Sequence, residues 1–202
     1  MATHPQAATV ALDDYLAAEE GAEFRSEFID GAVVAMVGGT LEHGVIVGNL
    51  HGMLYARLEG GPCRVVSQGT HVKAAQGERV FYPDVAVFCG TPRREKRVRD
   101  LLLNPALLIE VLSPSTAGYD HDVKWESYRR IASLQDYLLV SQDKPRVERY
   151  TRHGDGFWLF SEVEGLEGGI GLESLNVILP LSRIYDGVFP ADEEAEPEAA
   201  GD

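Results

Sequence analysis

Two cysteines, Cys63 and Cys89, and three methionines are all the sulfur in this chain of 202 residues. No CxxC pair exists, which excludes a zinc ribbon and a thioredoxin-like redox pair. So few cysteines suit a reducing, cytoplasmic setting, and each reads as a separate thiol buried in a strand. No stretch comes near the roughly eighteen apolar residues of a membrane span. The first residues, Met1 to Thr9, lack the charged-then-apolar pattern of a secretory leader, so a soluble protein away from membranes is expected. A GxxxxGK[ST] phosphate loop and a GxSxG nucleophile turn are both absent, which removes the usual signatures of nucleotide hydrolysis and serine chemistry. The six histidines form no HxxxH or similar zinc pattern.

Positive charge is also scarce. Lysine and arginine number 18 against 32 aspartates and glutamates, a net charge of −14. A surface of that sign disfavours tight, sequence-independent binding of a polyanion. Six of the excess negative charges lie in the segment Ala191 to Asp202, which carries no base. That composition predicts a disordered acidic tail over residues 189–202 behind one domain spanning 9–188. The main basic run is Arg93-Arg94-Glu95-Lys96-Arg97-Val98-Arg99, with five bases in seven residues. It reads either as a solvated loop between strands or as a local basic patch.

What is present is a mixture of periods. Leu12, Tyr15 and Leu16 recur at helical spacing, with Thr9 as the expected cap. Alternation then takes over on either side of Asp30-Gly31, a hairpin turn signal. Apolar positions from His43 to Leu58 return to a helical period. Gly44, Gly48 and Gly52 interrupt that helix, and close packing against a sheet is the expected reason. Strands are expected over 63–67 and 70–73, followed by Asp84 to Phe88 and Ala106 to Leu112. The last two are near-continuous apolar runs, as in strands covered on both faces. A helix is expected from Asp120 to Ile131, and a meander of strands from Asp136 onward. Together these predict an α/β (α+β) fold, a mixed sheet flanked by helices.

Against that background the acids stand out. Asp84 sits directly before the apolar Val85-Ala86-Val87, and Glu110 lies inside the run Leu107 to Leu112. A carboxylate in such a place needs a metal, a cation or a raised pKa. A plain ion pair between Glu110 and Lys124 is the structural alternative. Asp120, Lys124 and Tyr128 recur every four residues and so share one helical face. Taken alone, Asp120 and Lys124 make an ordinary surface pair. Glu27 reads equally as a third acid of the site or as an exposed hairpin residue. His43 reads as a phosphate contact or as a capping residue.

The order Glu27-Phe28-Ile29-Asp30-Gly31, His43, Tyr82-Pro83-Asp84, Glu110-Val111-Leu112-Ser113-Pro114-Ser115-Thr116, Asp120, Lys124, Tyr128 and Asp136-Tyr137 resembles the Uma-two (Uma2) family of endonucleases. That family lies within the PD-(D/E)XK, or restriction-endonuclease-like, superfamily. The resemblance implies a restriction-endonuclease-like core and Mg²⁺ or Mn²⁺ as cofactor. It makes Asp84 and Glu110 metal ligands with the Val111 backbone carbonyl, and gives Lys124 the lysine's role, moved from strand to helix because the strand position is Leu112. Glu27, His43 and Tyr128 are additional candidates. The implied activity is hydrolysis of phosphodiester bonds in DNA, with a homodimer as the natural way to cut two strands. The rival reading is a nuclease fold without turnover, serving as a binding or regulatory module.

Overall fold

The computed structural model describes residues 9–36, 38–67, 69–74, 77–95, 100–114, 116–154 and 156–189. Of the acidic tail predicted over residues 189–202 only Phe189 is among them; residues 190–202 lie outside, as do residues 96–99 of the basic run and Asp155. The chain forms a mixed α/β structure of three sheets. Helix α1 (Leu12–Glu19) leads into a hairpin of β1 (Ser26–Ile29) and β2 (Ala32–Ala35). Asp30 and Gly31 both take positive φ there, 48° and 96°, the two-residue turn that suits the twist of paired strands. Helix α2 (Leu41–Leu58) follows. After β3 (Cys63–Ser67) come β4 (His71–Lys73), β5 (Arg79–Phe81), β6 (Val85–Cys89), β7 (Leu101–Leu102) and β8 (Pro105–Leu112). A mixed helical run comes next. It is α-helical over Ala117–Tyr119, widens to a π-turn over Asp120–Lys124, and returns to α over Trp125–Tyr128. Strands β9 (Asp136–Ser141), β10 (Arg146–His153) and β11 (Phe157–Glu164) form the meander, and β12 (Gly169–Leu172) pairs with β13 (Val177–Pro180).

The large sheet runs β11-β10-β9-β8-β6-β3, and only the β8/β9 pair is parallel. The second sheet runs β2-β1-β5-β4-β7. Strand β8 is covered on both sides. Leu107, Ile109 and Val111 pack with Ile46, Leu50 and Leu54 of α2, whereas Leu108 faces Phe81, Tyr128 and Tyr137. Glu110 has the parity of Leu108 and so points toward the second sheet and the helical run. Asp84 has the parity of Ala86, which belongs to the same cluster as Leu108. The segment Tyr82-Pro83-Asp84 carries the chain out of β5 in one sheet into β6 in the other.

Several expectations are corrected. Ala11, not Thr9, occupies the N-cap position of α1; Thr9 instead packs its side chain against Gly31, where an added Cβ would lie 3.0 Å from the Thr9 Cβ. The helix expected from Asp120 to Ile131 begins at Ala117 and ends at Tyr128. Its continuation is stopped where Arg152 donates to the carbonyls of Arg129, Ile131 and Leu134. Gly44, Gly48 and Gly52 do not pack tightly: a Cβ at any of them would meet nothing within 4 Å. The cysteines are not separate thiols either. Cys63 and Cys89 are directly opposed on antiparallel β3 and β6 and form a disulfide. With both thiols joined, the cysteines do not point to a reducing compartment. Among the described residues no helix is long and apolar enough to cross a membrane.

Candidate active site

Lys124 is the centre of the site. The π-turn turns its side chain inward, leaving the residue 6% exposed. Its Nζ lies 3.0 Å from Glu110 Oε2 on β8, 3.1 Å from Asp120 Oδ1 one turn earlier, and 3.3 Å from Glu27 Oε1 on β1. Two strands and the helical run itself thus deliver a carboxylate each to one ammonium. Each acid is further held by a neutral donor or placed by its element. Glu110 Oε1 accepts from the Tyr128 hydroxyl at 3.0 Å. Glu27 Oε1 accepts from the Tyr82 backbone N–H at 3.1 Å, and Oε2 from the Tyr119 hydroxyl at 2.7 Å.

Asp84 forms the other side of the site. Its Oδ2 accepts from the Val111 N–H at 2.7 Å, which locks the carboxylate onto β8 one residue past Glu110. Its Oδ1 lies 3.1 Å from His43 Nε2. His43 reaches this point from the start of α2, whose N-terminus is capped by the Thr40 hydroxyl accepting from the His43 N–H at 3.2 Å. Tyr82 is held in turn: its hydroxyl donates to Glu19 at 2.9 Å and lies 2.6 Å from His71 Nδ1. Buried Glu19 also accepts from the Ser26 hydroxyl at 2.7 Å, which ties α1 to β1 beside Glu27.

Three carboxylates, Glu110, Asp120 and Glu27, touch one ammonium, and Asp84 lies near enough to Glu110 to act on its charge. Burial raises Glu110 well above the usual carboxylate range; Lys124 opposes that shift, while Asp120, Asp84 and Glu27 add to it. Asp120 is raised by burial as well, against the pull of Lys124. Burial alone would lower the Lys124 ammonium, yet Glu110, Glu27 and Asp120 hold it well above its ordinary value. Lysine therefore stays charged, and the excess of negative charge falls on the acids. His43 is raised chiefly by its hydrogen bond to Asp84, with burial opposing.

The donor set fits a hard divalent cation. Asp84, one residue before β6, and Glu110 on the adjacent β8 supply carboxylate oxygens tied together through the Val111 N–H, and Glu27 and Asp120 add two more carboxylates beside Lys124. Among the described residues no three histidine, cysteine, aspartate or glutamate side chains group closely enough to make a ready cage. Mg²⁺ does not need one, because it binds through one or two carboxylates and completes its shell with water and phosphate oxygens.

The expected residues therefore fall into two groups that meet at β8. Glu110, Lys124, Glu27 and Tyr128 share direct contacts, while Asp84 and His43 form a pair joined to them through the Val111 backbone. Asp120 is not a surface residue, as its spacing from Lys124 alone suggested, but a buried partner 2% exposed. Tyr119 went unnoticed, since nothing in a lone tyrosine announces that it will meet Glu27.

Behind the π-turn, His121 fastens the helical run to β10. Its Nδ1 lies 2.7 Å from the Ala117 carbonyl and its Nε2 2.9 Å from Glu148 Oε2. Both ring nitrogens face acceptors, which favours the doubly protonated ring. Burial pulls the imidazole down, but the Ala117 carbonyl and Glu148 together lift it above its usual value. Its stabilisation is complete below about pH 6.5 and is lost as pH rises through the folded-state value. Denaturant midpoints of wild type and His121→Gln, measured from about pH 5.5 to about pH 8.5, should therefore converge as pH rises. A difference that stays constant or grows would contradict this.

A family model described as "Putative restriction endonuclease", Uma2, matches residues 12–182. The uncharacterized Synechocystis protein slr1290 is 32% identical over 176 residues, covering 87% of this chain and 91% of that protein. A second uncharacterized Synechocystis protein, sll1609, is 36% identical over 152 residues, 75% of this chain and 86% of its own length. Among solved structures, one titled "a putative nuclease belonging to DUF820" from Anabaena variabilis superposes with a TM-score of 0.74 at 16% identity, covering 89% of this chain and 99% of that one. That likeness establishes a shared fold.

Proposed function

This chain belongs to the Uma2 family, and from the geometry of its site we propose that it is a Mg²⁺- or Mn²⁺-dependent endonuclease that hydrolyses phosphodiester bonds in DNA. The observation that carries the reading is the convergence of Glu110, Lys124 and Glu27 on the sheet face that also bears Asp84. A buried cluster with surplus negative charge is costly to maintain as a purely structural device, and it suits a site completed by a cation.

In this proposal Asp84, Glu110 and the Val111 carbonyl hold the metal, which supplies Lewis-acid stabilisation of the phosphate and a more acidic water. The protein's own groups do the rest. The Val111 N–H and His43 fix the two oxygens of Asp84, so its carboxylate is oriented before any ligand arrives. Tyr128 fixes Glu110 in the same way. Lys124 stays protonated and buried, placing a positive charge where an attacking water or a phosphoryl oxygen gathers negative charge. Glu27 and Asp120 keep that ammonium in place. Residues 9–188 would act as one unit, with DNA as substrate.

The direct test is cleavage of supercoiled plasmid by purified protein. Nicked or linear product should appear with Mg²⁺ or Mn²⁺ and disappear in EDTA. No product with either ion, together with no metal binding by calorimetry at millimolar concentration, would leave the fold as a module without turnover.

A further inference from the structure

The outer edge of the large sheet is unusual for a chain so rich in charge. Strand β11 ends that sheet, and its eight pairs with β10 run without a bulge from Arg146↔Glu164 to His153↔Phe157. Its other edge is therefore a straight row of backbone N–H and C=O groups. Phe157 to Ser161 carry no charge, and Phe157, Leu159 and Phe160 are 73%, 54% and 55% exposed. Edge strands normally carry a lysine, a proline or a bulge to discourage pairing, and this stretch has none. The acids further along are already engaged: Glu162 pairs with Arg146 and Glu164 with Lys144.

We propose that β11 is a self-association surface, pairing antiparallel with β11 of a second copy about a two-fold axis at Phe160. The occupant follows from the strand's own pattern. An antiparallel pair related by a two-fold axis perpendicular to the sheet keeps each residue opposite one of the same parity. With Phe160 on the axis, Phe157 meets Val163, Trp158 meets Glu162, Leu159 meets Ser161, and Phe160 meets itself. No acid faces an acid, so this register opposes no like charges and places apolar groups at the centre. The aromatic rings point the same way. Trp125 stacks on Tyr150 at 4.1 Å, Tyr150 meets Phe160 at 5.2 Å, and there the row stops in the open. A second Phe160 continues it from the other side. The resulting sheet has twelve strands, and the proposal stands whether or not the site described above cuts DNA.

Residue 160 facing itself gives the test. In sedimentation velocity the full chain should run as a dimer. Phe160→Glu and Phe160→Lys should each run as a monomer at the same loading, because like charges then oppose one another on the axis. Mixed in equal amounts, the two variants should recover the dimer. Position 160 is exposed, so both variants should keep the far-ultraviolet circular dichroism of wild type and unfold cooperatively, which separates lost pairing from lost folding. A wild-type monomer, two variants that dimerise as wild type does, or a mixture that stays monomeric would each overturn the proposal.

Discussion

Replacing Lys124 with methionine should destabilise the protein by about 3–5 kcal/mol, the usual cost of leaving buried charges without their partner. Methionine preserves most of the packing volume but leaves Glu110, Glu27 and Asp120 converging on a point with no positive charge. The acids must then take up protons. Because Glu110 and Asp120 already bind protons more tightly folded than is usual for carboxylates, the variant should lose stability as pH climbs above about 4, the unfolded carboxylate range. Urea unfolding at about pH 5 and about pH 8 should show the larger deficit at the higher pH. Adding Glu110→Gln should recover part of the loss, since these groups touch and their effects are not additive. A Lys124→Met protein that unfolds with wild-type midpoint at both pH values would mean that the ammonium is dispensable to the fold.

The second large effect separates chemistry from stability. Glu110→Gln keeps the shape of the side chain and its contact with the Tyr128 hydroxyl while removing a buried carboxylate whose pKa burial drives upward. Lys124 keeps Glu27 and Asp120 as partners when Glu110 is neutralised, so the fold should tolerate the change. Cleavage should nevertheless fall by about 10²–10⁴-fold, since Lewis-acid stabilisation is worth several kcal/mol and each 1.36 kcal/mol is about a factor of ten. Plasmid nicking at saturating Mg²⁺, run beside an unfolding curve on the same preparation, measures both. Full cleavage by this variant would remove Glu110 from the proposed metal site. Loss of folding together with activity would mark Glu110 as structural.

Local rules made part of this molecule legible. The Asp30-Gly31 turn, the helix ending at Leu58 and the apolar strands β6 and β8 all follow from period and turn chemistry, and the structure has each within a residue or two of its expected bounds. Short strands β5 and β7 escaped, because two or three residues carry no period to detect. The acids of the site were visible through their cost: Asp84 and Glu110 are charges set among apolar residues. Asp120 was visible only as half of a common i,i+4 pair. That it is buried depends on how β1 and the helical run pack over β8, which no local pattern encodes. The Cys63–Cys89 bond was missed for a similar reason. It needs the register of β3 against β6, and two cysteines 26 residues apart do not reveal it. The three glycines of α2 suggest crowding through their low helix propensity, yet all three face open space.

The widened turn over Asp120–Lys124 also fixes a phase relation along the helical run. Tyr119 and Asp120 lie at its near end, Lys124 and Tyr128 at or beyond its far end, and all four reach the same cluster. Ordinary helical winding advances about 100° per residue, so an element one residue shorter here would swing one pair away by more than a quarter of a revolution while the other stayed. The extra residue thus works as a spacer in a screw thread, keeping two sets of teeth engaged with one gear.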